Sequence, residues 1–296
     1  MYLVRASELN LRSSPRVVTT NRIGLLPRGH AVELVEKARA PWWKVRTELG
    51  GTKVEGYVSS DWLTSAGELP RQTPANRLVE VHLQSKNPVK RSQDGGRASP
   101  LNEPDAPRRK AGSAAEHARQ LLAIVGWLRV DRSVRYLPTA GSTYCNIYSY
   151  DYCCLGSTYL PRVWWTATAL RDLDHGVPVE PVYAATVREL NANSLHHWLP
   201  EFGARFGWRR EFDLSALQQA ANEGAVCIIS AQHVDANRSG HICPVVPESG
   251  SHRADRRDGR VRAPLQSNAG RVNFQFGAPL WWTSSKLKSS SFWIHD

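Results

Sequence analysis

The chain is 296 residues long, with 22% charged and 41% hydrophobic residues, ordinary globular proportions and enough length for two domains with separate cores. Its formal net charge of +11 implies an acidic partner, and nucleic acid, anionic membranes and bacterial wall polymers all qualify. Five cysteines, an odd number with Cys153 and Cys154 adjacent, argue against a disulfide framework and a four-cysteine zinc site, and no apolar run reaches membrane-spanning length.

Residues 1–66 read as one unit of short strands and turns. Leu9-Asn10-Leu11-Arg12-Ser13-Ser14-Pro15 is extended and breaks into a turn. Ile23-Gly24-Leu25-Leu26-Pro27-Arg28-Gly29 and Ala31-Val32-Glu33-Leu34-Val35 give a strand, a tight turn and an alternating strand. Trp42-Trp43-Lys44-Val45 and Glu55-Gly56-Tyr57-Val58 alternate in the same way, and Ser59-Ser60-Asp61-Trp62-Leu63 closes the unit with a turn of helix. Five short strands in so few residues predict a small β-barrel. The ordered motifs Leu-Asn-Leu-Arg-Ser-x-Pro, Gly-x-Leu-x-x-Gly, Trp-Trp-Lys-Val and Gly-Tyr-Val-x-x-x-Trp-Leu closely resemble a bacterial SH3-like (SH3b) domain. That resemblance implies wall-peptide binding or targeting without catalysis; such barrels also serve as spacers.

Residues 67–113 change in character. Six prolines lie among Gly, Ser and Gln, and nine Lys or Arg against five Asp or Glu give a local charge of +4. This composition predicts a Pro-rich, basic linker. Within it, Leu78-Val79-Glu80-Val81-His82-Leu83 alternates and is able to pair as a strand with either neighbour. Arg108-Arg109-Lys110 is a weak nucleic-acid signal that suits a solvated linker better, and no nucleic-acid partner is expected.

From 114 to 296 the pattern is α+β: helices first, an antiparallel sheet afterwards. Helices are predicted over 114–127, 145–156 and 194–206, with a fourth capped by Asp213 and ended by Gly224. Strands are predicted over 225–230, 241–246, 264–269, 272–276 and 292–295.

The chemistry centres on Gly141-Ser142-Thr143-Tyr144-Cys145-Asn146 and, further along, Ser239-Gly240-His241-Ile242. The first places a cysteine at a helix start, where the positive end of the helix dipole favours thiolate. The second places a histidine at a strand start, suited to act as the base. A polar third group orients such an imidazole, and Gln266 and Asn268 point to the same side of the next strand, so either is a candidate. Cys153, Cys154, Cys227 and Cys243 read as core. His196-His197 point to different faces of a helix without a partner at zinc spacing, so no metal and no other cofactor is expected. His175, in Asp-Leu-Asp-His-Gly, reads as part of a turn. The doublets Trp164-Trp165 and Trp281-Trp282 either line a substrate groove or pack.

These residues resemble the papain-like peptidoglycan hydrolases of the NlpC/P60–CHAP clan over residues 140–296. The resemblance implies a cysteine peptidase or amidase that cuts an amide of the wall peptide, with Cys145 as nucleophile, His241 as base and Gln266 as orienting residue, Asn268 being the alternative. Tyr144, Trp164, Trp165 and Trp281 are the candidate substrate contacts. The sequence departs from the clan in its Tyr-Cys-Asn lead and in a long arginine-rich stretch over 247–263. Met1-Tyr2-Leu3-Val4-Arg5 lacks the apolar stretch of a signal peptide. The expectation is therefore synthesis in the cytoplasm and action in the periplasm or at the wall after non-classical export, injection or lysis, as in a phage lysin or an antibacterial effector. An effector would bring an immunity protein as a second partner. Two other readings stay open: a cysteine toxin of the same fold acting on a non-wall substrate, and a non-catalytic wall-binding protein.

Overall fold

The computed structural model describes residues 1–6, 8–18, 21–49, 51–65, 78–174 and 177–296. The chain divides into two compact units, one built by the N-terminal strands and one taking in most of the chain from Leu78 onward.

The first unit is a curled antiparallel sheet of seven strands: β1 (Tyr2–Val4), β2 (Glu8–Arg12), β3 (Arg22–Pro27), β4 (Ala31–Lys37), β5 (Trp42–Leu49), β6 (Thr52–Ser59) and β7 (Leu63–Ser65). Their order is β3-β2-β6-β5-β4-β1-β7. Alternation sends Leu9 and Leu11 of β2, Val45 of β5 and Val58 of β6 inward, where they meet Val4, Leu26 and Val32. Each such aliphatic side chain contributes about 1.5–3 kcal/mol by leaving water. Gly56 lies where β6 crosses β2: a Cβ there would stand 2.8 Å from the Arg12 carbonyl oxygen. Seven strands stand in place of the five that the pattern predicts. The additions are the short β1 and β7, which pair with each other through Leu3 and Thr64, a long-range contact with no local signature.

The second unit is α+β. Its helices are α1 (Ala114–Leu128), α2 (Cys145–Leu155), α3 (Ala167–Asp174), α4 (Ala192–Phe202) and α5 (Leu214–Asn222). Two short strands, β8 (Val163–Trp165) and β9 (Val187–Glu189), form a separate pair. The main sheet is built from β10 (Arg209–Glu211), β11 (Val226–His233), β12 (His241–Val245), β15 (Gln266–Asn268), β16 (Phe274–Gly277) and β17 (Leu287–His295). It is antiparallel, in the order β10-β17-β11-β12-β15-β16. The arginine-rich stretch folds as a hairpin, β13 (Asp255–Arg257) and β14 (Arg260–Ala263). One face of the sheet packs Cys227, Ile229, Cys243, Val245 and Ile294 against Leu217 and Ala221 of α5. Asp213 caps α5 as expected, accepting from the Ser215 and Ala216 amides at 2.6 and 3.2 Å. Helix α2 is buried along nearly its whole length and is tied to the sheet by Tyr148 Oη to Ser267 Oγ at 2.6 Å. Among the described residues no helix is long and apolar enough to cross a membrane.

The linker expectation over 67–113 is corrected for its described part. Residues 78–113 lie against the second unit as an irregular strap, and 78–83 does not pair as a strand. Val81, Val89 and Leu101 are buried. Side chains satisfy the strap's backbone where a ladder does not. The Tyr159 hydroxyl accepts from the Val81 amide at 3.1 Å, Asn102 Oδ1 from that of Val89 at 2.7 Å, and Glu103 from that of Arg91 at 2.8 Å. The Arg91 and Arg97 guanidinium groups stack on Trp127 and Tyr144 at 3.7 and 3.8 Å. A segment too polar to build a core can still dock on one. The boundary with the first unit, over 66–77, and His175 lie outside the described residues.

Candidate active site

Helix α2 begins at Cys145, and its N-cap, Tyr144, offers no side-chain hydrogen bond to the first turn. The leading amides of a helix have no intrahelical acceptor. Here the Asn146 amide turns to the Cys145 thiol, as does that of Ile242 on β12. His241 opens β12, antiparallel to β11 with its backbone opposite Ala231. The residue before it has to be glycine: a Cβ on Gly240 would stand 2.0 Å from the Ala231 carbonyl oxygen. That close approach fixes the backbone from which the imidazole projects.

Cys145 and His241 are hydrogen-bonded to each other. Burial acts to raise the Cys145 thiol, but the charge and hydrogen bond of His241, helped by the two amides, bring it below its ordinary 9.0. Burial likewise opposes charge on His241, yet Cys145 and Asn268 hold it above its ordinary 6.5. The two shifts are one fact seen from either partner: the pair favours thiolate and imidazolium together. In the other four cysteines burial prevails and the thiol is pushed up. The alkylation rate of Cys145 by iodoacetamide will therefore rise with pH through a midpoint below 9, because thiolate is the reacting form. In His241→Ala only burial and the two amides remain, and the midpoint will move up. A midpoint unchanged by the substitution would show that the pair is not coupled.

The third position differs from the Gln266 expectation. His241 Nε2 donates to Asn268 Oδ1 at 2.6 Å, which leaves Nδ1 to meet the thiol. Asn268 Nδ2 donates to the Val272 carbonyl at 3.0 Å, so the oxygen is the end that faces the ring. Register is the reason. Gln266 lies opposite Val245, so along the same antiparallel ladder it is Asn268 that comes to the diagonal of His241. Gln266 is instead occupied beneath the site: its Oε1 accepts from Trp281 Nε1 at 2.7 Å and from the Cys243 thiol at 3.3 Å. Its Nε2 donates to the Pro264 and Pro279 carbonyls. Asn268→Ala is expected to lower kcat/KM by roughly 10- to 100-fold, and more than Gln266→Ala at equal folded fraction. The opposite order in steady-state assays would return the orienting role to Gln266.

A cleft of about 440 Å³ opens over His241, lined by Asn268, Trp281, Gly141, Arg238 and Arg271 among others. The Trp281 ring stands edge-on to the imidazole, with centroids 4.5 Å apart. Of the predicted substrate contacts, Trp281 therefore lies in the cleft. Tyr144 follows Thr143 of its wall but is not among the lining residues, and its ring lies beneath the Arg97 guanidinium. Trp164 and Trp165 are buried and do not line it; Trp164 packs edge-on against Trp198 and Phe206. An aromatic doublet in a short strand carries no sequence mark that separates core from groove. His196, pressed down to about 4 first by burial and then by the charge of His197, lies between Ser230 and Ser289 on the sheet. The cleft residues that the sequence did not indicate are Arg238, Gly270, Arg271 and Pro279, all in loops, where periodicity gives no signal.

Comparison with known proteins places a bacterial SH3 domain at residues 7–64, the first unit. A search of curated proteins returns no match. Among solved structures, NlpC2 from Trichomonas vaginalis is similar over 99% of this chain and 71% of that one, at 10% identity and a TM-score of 0.23.

Proposed function

We propose that the chain is a cysteine amidase or peptidase acting on bacterial cell-wall peptide, with the SH3 domain carrying it to the wall. The observation that supports this best is the Cys145–His241–Asn268 relay, whose His241 and Asn268 line an open cleft, with the one cysteine whose thiol is lowered buried behind them at a helix N-terminus. In this reading the Cys145 thiolate attacks the amide carbonyl carbon, and the oxygen takes the charge at the N-terminal, positive end of α2. The His241 imidazolium gives its proton to the departing amine nitrogen, the C–N bond breaks, and a thioester remains. His241, now neutral, takes a proton from water, the resulting hydroxide adds to the thioester, and the thiolate leaves. Asn268 keeps Nε2 occupied so that Nδ1 always faces the sulfur.

The test is digestion of purified peptidoglycan, with the soluble products sequenced by mass spectrometry. New amino and carboxyl termini at one amide of the peptide are expected. Binding to walls with no product would leave a targeting protein, and cleavage of an unrelated protein amide alone would move the substrate away from the wall.

A further inference from the structure

The cleft is bordered by two arginines and by no acid. Arg238 lies in the loop between β11 and β12, and Arg271 in the loop between β15 and β16. Because β12 and β15 are antiparallel neighbours, both loops emerge at the end of the sheet where His241 stands. No Asp or Glu is among the lining residues. Four other arginines of the unit, by contrast, are held by acids: Arg135 by Asp151, Arg162 by Glu189, Arg256 by Glu248 and Arg262 by Asp255. The Arg238 side chain makes no hydrogen bond or ion pair with a described residue, although its loop is held. Asn193 Nδ2 donates to the Arg238 carbonyl at 2.8 Å, and the Arg238 amide donates to the Asp235 carbonyl at 3.1 Å. Arg271 donates once, to the Ala140 carbonyl at 3.3 Å, and its other donors remain for a ligand. Ala140 precedes the Gly141-Ser142-Thr143 wall of the same cleft, so Arg271 spans from one wall to the other.

A guanidinium fork fits a carboxylate with two parallel hydrogen bonds, and a pair of forks on fixed loops selects for charge as well as shape. We infer that the substrate carries a free carboxylate close to the scissile amide, and that Arg238 and Arg271 hold it in the cleft. The inference deepens the amidase reading and rests on it for the identity of the scissile bond, but the carboxylate site makes a claim about binding alone.

Two measurements separate them. Full-length Cys145→Ala protein is titrated calorimetrically with a wall muropeptide bearing free carboxylates and with the same muropeptide amidated at them. The free acid is expected to bind roughly tenfold or more tightly, and Arg238→Gln and Arg271→Gln, each in the Cys145→Ala background, to bring the ratio toward one. Arg238→Gln is the cleaner of the two, since that side chain supports nothing in the fold; Arg238→Lys should keep part of the preference. Equal binding of both peptides, binding of neither, or a preference unmoved by both glutamine variants overturns the carboxylate site. In parallel the wild-type protein is assayed for hydrolysis of the same two peptides. Selective binding with no hydrolysis overturns the amidase reading and leaves the carboxylate site standing. Equal binding of both peptides together with their hydrolysis does the reverse.

Discussion

Cys145→Ala is expected to remove amide hydrolysis by roughly 10⁴-fold or more while leaving the fold in place. The effect is large because, in the proposed reaction, the thiolate sulfur is the atom that forms the new bond. The neighbouring groups, deprived of it, have nothing to activate. The fold survives because the change removes one atom, and the Asn146 and Ile242 amides that lose it as a partner belong to α2 and β12. Melting followed by circular dichroism should move by a few degrees at most. The variant also reports on the electrostatics. In the native protein His241 is raised by Cys145 and by Asn268 against the opposing cost of burial. Without the thiolate that balance tips toward burial, so the imidazole will titrate lower by NMR than in wild type. Retained hydrolysis in Cys145→Ala would remove the nucleophile assignment outright.

The largest loss of stability is expected at Asp151. It lies on α2 less than two turns from Cys145 and is almost fully buried. Its carboxylate receives Arg135 Nε at 2.6 Å, Arg135 Nη2 at 3.3 Å and the Tyr136 hydroxyl at 2.9 Å. Burial acts to lower the Arg135 guanidinium, but Asp151 more than restores it, and the guanidinium is raised. Arg135 also donates to the Ser99 carbonyl at 3.0 Å, so one buried cation joins α2 to the strap. Asp151→Ala strands that cation in a site with no solvent exposure, at a cost of about 3–5 kcal/mol. For a unit of this size the melting temperature should fall by roughly 10 °C. Replacing both partners, Arg135→Met with Asp151→Leu, should recover part of the loss, because an uncharged pair leaves no stranded charge. A single variant as stable as wild type, by urea or thermal denaturation, would show that the pair is not holding α2.

That network also supports the far side of the site. Asn273 Nδ2 donates to the Val130 and Tyr136 carbonyls at 2.8 and 2.9 Å, and Asn273 Oδ1 accepts from the Gly270 amide at 2.9 Å. The loop that carries Val272, the acceptor that orients Asn268, is thus fastened to the segment that Asp151 holds. Part of the Asp151→Ala effect should therefore appear as a lower kcat at temperatures where the variant is fully folded.

Much of this molecule was legible in local pattern. Cys145 at a helix start and His241 behind a glycine are local features, because turn, helix and strand signals are written in neighbouring residues. The SH3 motifs were equally local, and the family match at 7–64 coincides with them. The α+β order of the second unit followed from helices preceding strands. Tertiary structure decided what depends on distant partners. It chose Asn268 over Gln266, since alternation puts both on one side and only the pairing of Gln266 with Val245 sets which one reaches His241. It turned residues 78–113 from an expected linker into a docked strap, because Tyr159 and Arg135, which bond its backbone at Val81 and Ser99, come from elsewhere in the chain. It separated Trp281, on the imidazole, from Trp164 and Trp165, in the core. Composition already implied a partner of opposite charge from the excess of +11, but only the meeting of two loops at one sheet end puts Arg238 and Arg271 in the same cleft as His241. Local sequence settles conformation through neighbours a few residues apart. The site is made by register and loop convergence, which act between residues that no window of sequence contains.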